Sequence, residues 1–218
     1  MDQGIRYPPN RVRDALHRMV FGLIAAPGPS FQDWVLRHFF ERLYRRPNPW
    51  SYEGSAYQNH KCGQALALIP HQAYGYVLEV GCGEGAFSER LLAERDVREF
   101  IGVDISTRAI VRAKSRCSRY ENACFYADNI FSARLPAAFE LIVVCEVLYY
   151  LGRSAPDLAA LLTPKLSPRG RLLLVHLWPE AEQLHRAFLA SGDLSVLDQF
   201  VDQHSVRPFC VSLLGRAP

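Results

Sequence analysis

The chain has 218 residues, 49% of them hydrophobic and 22% charged, which is ordinary for a globular protein and enough for one sizeable buried core. Its formal net charge is +3 and no Lys/Arg run stands out, so a nucleic-acid partner is not implied. No apolar stretch reaches the roughly 18 residues of a membrane span and the N-terminus lacks a continuous apolar run, so the sequence reads as a cytoplasmic protein with no membrane partner.

The first 70 residues are rich in aromatics, prolines and arginines, and their periodicity is helical. Val12, Leu16, Met19, Val20 and Leu23 share one face until the PGPS run at 27–30 breaks the pattern. Ser30 is a plausible N-cap for a second helix carrying Phe31, Trp34, Val35, His38, Phe39 and Leu43 at three-to-four spacing. Asp33 suits its first turn, and Arg45 and Arg46 suit its C-terminal end. Pro47 and Pro49 end it, and a third helix is predicted over 56–68.

From Tyr76 onward the signal changes to alternating strands and helices. Apolar strands are predicted at 76–80, 100–104, 123–126, 141–145 and 170–177, with helices at 87–93, 107–116, 156–166 and 179–190 between them. Nearly continuous apolar strands alternating with helices imply a mostly parallel, doubly wound α/β sheet covered on both faces. The last two strand-like runs, 195–202 and 207–214, are joined too closely for a crossover and must pair antiparallel. The chain thus divides into an N-terminal helical cap over residues 1–70 and a core over 71–218. The cysteines Cys62, Cys82, Cys117, Cys124, Cys145 and Cys210 form no CxxC pair, which suits reduced thiols better than a disulfide frame or a metal site.

The segment Val77-Leu78-Glu79-Val80-Gly81-Cys82-Gly83-Glu84-Gly85 is a strand running into a glycine turn and then a helix starting near Glu84. Glycines at 81 and 83 permit positive φ and close approach of backbone to a ligand, with the helix N–H groups aimed at the same spot. Dinucleotide-binding folds use a related turn. Glu79, however, sits just before the first glycine, where it would repel a pyrophosphate and attract a ligand carrying an ammonium and a sulfonium. Asp104 closes the next strand, 25 positions after Glu79, where an acid can accept the hydroxyls of a ribose.

On VLEVGCGEG and GVDIS the sequence resembles the class I S-adenosylmethionine-dependent methyltransferases. The resemblance implies a seven-stranded sheet ending in an antiparallel hairpin, with S-adenosyl-L-methionine as cofactor. It places Glu79, Gly81 and Gly83 on the methionine part, Asp104 on the ribose, Ile105 on the adenine face, and Asp128 with Asn129 at the adenine. Cys82, between the glycines, and Cys145, at the end of the fourth strand, complete the cofactor lining. The other reading of Asp128 is a helix cap.

A narrower resemblance, from Asn48 to about His176, is to the nodulation protein S-type N-methyltransferases. It rests on NPWSYEGSAYQNHK, VDIS, FELIVVCEVLYYL and LLLVHLW. Asn48 replaces the aspartate usual in that group, the Gly83-Glu84-Gly85 turn also differs, and the segment after Trp178 matches poorly, so the acceptor need not carry over. The resemblance implies transfer of a methyl group to an amine of a small or sugar-like acceptor, an amino sugar among them. The alternatives are a small-molecule hydroxyl, or a nicotinamide-dependent oxidoreductase, against which Glu79 and the hairpin argue. A small-RNA methyltransferase is rejected because no histidine follows Glu146 in CEVLYYLGRSAPDL to complete a metal cluster. A fold that binds cofactor without catalysis is the remaining rival.

Glu146 and His176 end the fourth and fifth strands at the carboxyl edge, where such folds place their sites, and are the candidate bases. For Glu146 the bland reading is a cap or a cofactor contact, and for His176 a structural role. Tyr149 and Tyr150 are candidates to wall the acceptor pocket, with Tyr150 the catalytic candidate and one of the pair expected in the core. Trp50, Tyr52 and Tyr57 precede the core as candidate closing residues, with Tyr52 and Lys61 as partners for the methionine carboxylate. The helical N-terminus would then act as a lid.

Overall fold

The computed structural model describes residues 29–136 and 138–218, so the helix predicted around 12–23 lies outside them. In chain order come α1 (Pro29–Leu43), α2 (Ala56–Leu68), β1 (Tyr74–Val80), α3 (Ala86–Glu94), β2 (Val97–Asp104), α4 (Thr107–Arg116), β3 (Ala123–Ala127) and β4 (Phe139–Cys145). They are followed by the single-turn α5 (Leu148–Leu151), α6 (Ala155–Leu162), β5 (Leu166–Leu177), α7 (Glu180–Leu189), β6 (Leu194–Asp202) and β7 (Phe209–Arg216).

The strands form a 7-stranded sheet in the order β3-β2-β1-β4-β5-β7-β6. The first five are parallel, and β7 runs antiparallel to both β5 and β6. The apolar runs explain this layering, because successive side chains of each strand point to opposite faces. Leu141 and Val143 of β4 join Val77, Phe100, Leu66 of α2 and Leu91 of α3 in one core. Ile142 and Val144 join Leu78, Val103, Leu158 of α6 and Phe188 of α7 in the other. Strand order reverses between β1 and β4, which opens a crevice at their carboxyl ends.

The boundaries differ from the sequence reading where backbone chemistry intervenes. α1 already includes Pro29 and Ser30, so Ser30 lies in its first turn rather than capping it. α3 starts later than Glu84, because Gly85 with φ 77 is its N-cap. The helix predicted over 156–166 stops at Leu162, since Pro164 cannot continue it and starts a 3-10 turn instead. β5 then begins at Leu166 and is 12 residues long. All the cysteines are free thiols. Among the described residues no helix is long and apolar enough to cross a membrane.

Candidate functional site

The glycine turn after β1 is closed by its own backbone: the N–H groups of Gly81 and Cys82 both donate to the Val103 carbonyl, at 2.7 and 3.1 Å. Gly81 has φ 70, and a Cβ there would lie 2.3 Å from Val147 Cγ2, so both conformation and space require glycine. The N–H of Gly83 donates to Asp104 Oδ2 and that of Ser106 to Asp104 Oδ1, each at 2.9 Å. Asp104 thus ties the first turn to the second and keeps unused lone pairs facing the crevice. Burial raises its carboxyl to about 6, against the lowering by those two N–H donors.

Glu79 is 2% exposed and accepts Ser88 Oγ at 2.5 Å. Burial pushes its carboxyl up to about 8; the Ser88 bond opposes this and the Asp104 charge adds to it. No cation of the described residues pairs with it, so two neighbouring buried carboxyls line the crevice without a positive partner.

Asp128 and Asn129 follow β3 on the same edge. Asp128 Oδ1 accepts the Asn129 N–H at 2.7 Å and Ser132 Oγ at 3.2 Å, so it caps its own turn while lining the crevice. Asn129 Nδ2 donates to Asp33 Oδ1 at 2.7 Å. Ile105 lies between these loops and Arg37, which donates to its carbonyl at 3.2 Å.

Glu146 follows β4 with φ 58, a strained conformation for a side chain of its size. Its Oε1 is 2.9 Å from Lys61 Nζ. Lys61, predicted to meet the cofactor carboxylate, is therefore already paired with the predicted base. Burial alone would depress this ammonium, but the Glu146 carboxylate and Tyr57 hold it above the ordinary lysine range. Tyr52 lines the same wall, its hydroxyl raised well above the tyrosine range by burial and then by Cys145 and Glu146, so it stays a neutral donor. Cys82 and Cys145 also line the crevice, and burial keeps both thiols protonated. Tyr150 reaches it from α5, edge-on to Phe40 at 4.9 Å. The Tyr149 hydroxyl accepts the Leu177 N–H and so also serves the fold.

His176 is not placed to act as the base. It is fully buried, its Nε2 accepts the Leu148 N–H at 3.3 Å and its Nδ1 lies 3.0 Å from His185 Nε2. Because Nε2 accepts, the proton sits on Nδ1 and passes the chain on to His185, whose Nδ1 meets Ser212 Oγ at 2.9 Å. Burial keeps both rings neutral, His185 at about 4 and His176 well below its ordinary value. Both nitrogens are committed, so His176 fixes the turn after β4; strand-end position alone gave no sign that α7 covers it.

The helix α1 and the strap carrying the candidate closing residues Trp50 and Tyr52 lie over the crevice. From α1, Gln32 donates to the Leu151 carbonyl at 2.9 Å, Glu41 accepts the Thr107 N–H at 2.5 Å, and Leu36 is buried beneath, as is Tyr44 just after the helix. The strap at 45–54 is latched by Glu84, which accepts the Asn48 N–H at 2.8 Å and Arg112 at 2.5 Å. Gln58 holds the Trp50 carbonyl at 3.1 Å, and Trp50 Nε1 donates to Tyr44 Oη at 3.3 Å. The covered space is about 2120 Å³, more than one cofactor requires. Two of its lining atoms, Tyr57 Oη and Gln58 Oε1, are buried without a hydrogen-bond partner and fit a polar ligand.

A family model described as nodulation protein S (NodS) matches residues 35–175. The chain belongs to the nodulation protein S family. This NodS-family chain is 30% identical over 139 residues to nodulation protein S of Sinorhizobium fredii (strain NBRC 101917 / NGR234), covering 62% of this chain and 63% of that protein. It is 32% identical over 129 residues to nodulation protein S of Rhizobium tropici, covering 58% and 53% respectively. The matches therefore span less than two thirds of these curated relatives. In fold it is similar to the N-methyltransferase NodS from Bradyrhizobium japonicum WM9, solved in complex with S-adenosyl-L-homocysteine, at TM-score 0.75 and 24% identity over 84% of this chain and 99% of that one.

Proposed function

We propose that this chain is an S-adenosylmethionine-dependent methyltransferase that transfers the methyl group to an amine of a small or sugar-like acceptor. The observation that carries the cofactor is the pair of buried carboxyls, Glu79 and Asp104, beside a glycine turn with no cation among the described residues to neutralise them. A dinucleotide would bring a pyrophosphate into that field, whereas a ligand bearing sulfonium and ammonium groups supplies the missing charge.

In this reading Glu79 and the turn of Gly81, Cys82 and Gly83 hold the methionine part, with Tyr52 near its carboxylate. Asp104 takes the ribose hydroxyls on its remaining lone pairs, Ile105 packs on the adenine, and Asp128 with Asn129 meets its polar edge. When bound, the cofactor supplies a methyl carbon already activated by its sulfonium for in-line displacement. The protein's own tasks are to aim the nucleophile and exclude water. Glu146 draws an ammonium acceptor to the carboxyl edge and accepts the proton that frees its lone pair. Tyr150 walls that side, and the described part of the N-terminal segment, residues 29–70, serves as the cap, with α2 as its fixed base in the sheet core. The NodS-type family points to the amine, and Glu146 is the residue suited to one.

The test is incubation with labelled S-adenosylmethionine and a panel of amino sugars, polyamines and phenols. Label on an amine supports the reading, label on a phenol moves it to O-methyl transfer, and absence of cofactor binding in calorimetry removes it.

A further inference from the structure

Lys61 and Glu146 lie 85 residues apart in sequence, one on α2 and one at the end of β4, yet meet at 2.9 Å in the crevice wall. Both line the crevice, but Lys61 is 4% exposed while the Glu146 side chain keeps 21% of its surface open, so the carboxylate is the more open of the pair. The Lys61 Nζ also sits 5.1 Å from the centroid of the Tyr57 ring, and α2 is anchored through Ala65, Leu66 and Ile69 in the sheet core. Glu146 itself has positive φ, a backbone state that needs its surroundings to hold it. Only Oε1 of Glu146 is engaged by the ion pair, which leaves Oε2 as an acceptor.

We infer that Lys61 is a positioning residue for the acceptor amine: it pins one oxygen of Glu146 so that the other is presented to the amine, and it does not hold the cofactor carboxylate. The inference rests on the methyltransferase reading above and deepens it. A buried lysine with a carboxylate partner already at hydrogen-bond distance has little to gain from a second anion, whereas loss of that partner would leave an uncompensated buried charge. The pair also explains why an amphipathic helix before the first strand carries a buried lysine at all: α2 delivers the cation from one face of the sheet to the carboxyl edge of the central strand.

The test is a double-substitution cycle of Lys61→Met and Glu146→Gln, using S-adenosylmethionine and the tetramer of glucosamine as the probe amine, with spermidine as a second probe. Lys61→Met should lower kcat tenfold or more while the calorimetric Kd for S-adenosylmethionine moves less than twofold. In the Glu146→Gln background the same substitution should cost less than twofold, because the carboxylate it positions is gone. Lys61→Gln, which keeps a donor on a side chain one atom shorter, should recover part of the loss in kcat and serves the same cycle if the methionine variant does not fold. A tenfold loss of cofactor affinity in either Lys61 variant would put the ammonium on the cofactor and overturn the inference. So would losses that multiply in the double variant. A wild-type chain that binds no cofactor, or methylates neither amine probe, instead overturns the reading on which the inference stands.

Discussion

At the scale of single residues, the site is organised by two carboxyls that burial makes reluctant to ionise. Glu79, held near pH 8, is largely protonated in the empty site at neutral pH, and a cationic ligand must find it ionised. Affinity for S-adenosylmethionine should therefore rise with pH, by about tenfold per unit around pH 7, with about one proton released on binding there. Titration in buffers of different ionisation enthalpy measures that proton, and Glu79→Gln should weaken binding and flatten the dependence. A pH-independent affinity in the wild type would contradict the role given to Glu79. Asp104 has a second duty, since Gly83 and Ser106 both donate to it. Asp104→Ala should lower cofactor affinity by about 100-fold or more, the order expected when charge-assisted hydrogen bonds are lost and donors are left unpaired. Retained affinity would remove Asp104 from the ribose.

At the scale of elements, the strands and most helices were legible because each apolar run or helical stripe is a local signal. The glycine turn and its two acids were legible because their spacing is local too. What escaped reading depends on partners far along the chain. Gln32 reaches Leu151 and Glu84 reaches Asn48, bonds with no periodicity to betray them. Lys61 could be placed on a helix but not matched to Glu146. His176 could be placed at a strand end, but not under α7. The strap shows what such contacts do. Asn48 and Ser51 have φ of 51 and 54, so the segment is held against its own preference and depends on Glu84. Glu84→Ala removes acceptors for the Asn48 N–H and for Arg112, costing about 1.5–3 kcal/mol, which corresponds to roughly 10- to 150-fold more frequent opening. Hydrogen exchange at residues 45–54 should speed up accordingly while amides of β1 and β4 stay protected. Unchanged exchange in the strap would show that Glu84 is not its latch.

At the scale of the whole molecule, the parallel pairing of β1 with β2 gathers the two acids at the carboxyl edge, while the β5–β7 pairing and α7 enclose the two histidines, and these pairs oppose each other in acid. Glu79 and Asp104 have folded values raised to about 8 and about 6, so between about pH 4.5 and 6 the folded chain binds two protons that the unfolded chain has released. His176 is held well below its ordinary value and His185 at about 4, so in the same window the unfolded chain binds two protons that the folded chain refuses. The acids favour folding as pH falls, and the histidines disfavour it. In the empty protein the two pairs oppose each other, and unfolding free energy should depend only weakly on pH from about 4.5 to 6. Saturation with S-adenosylmethionine, which keeps both carboxylates ionised, removes the acid contribution and leaves the histidines. The loaded protein should lose stability on acidification through that window, by up to about 2.7 kcal/mol per pH unit, at most two protons at about 1.4 kcal/mol each. Urea unfolding at fixed saturating cofactor measures both slopes. Empty Glu79→Gln should fall between them, at up to about 1.4 kcal/mol per unit, because one of the two opposing acids is gone. Parallel slopes for empty and loaded protein would mean that the cofactor does not meet these carboxyls, whatever else the crevice binds.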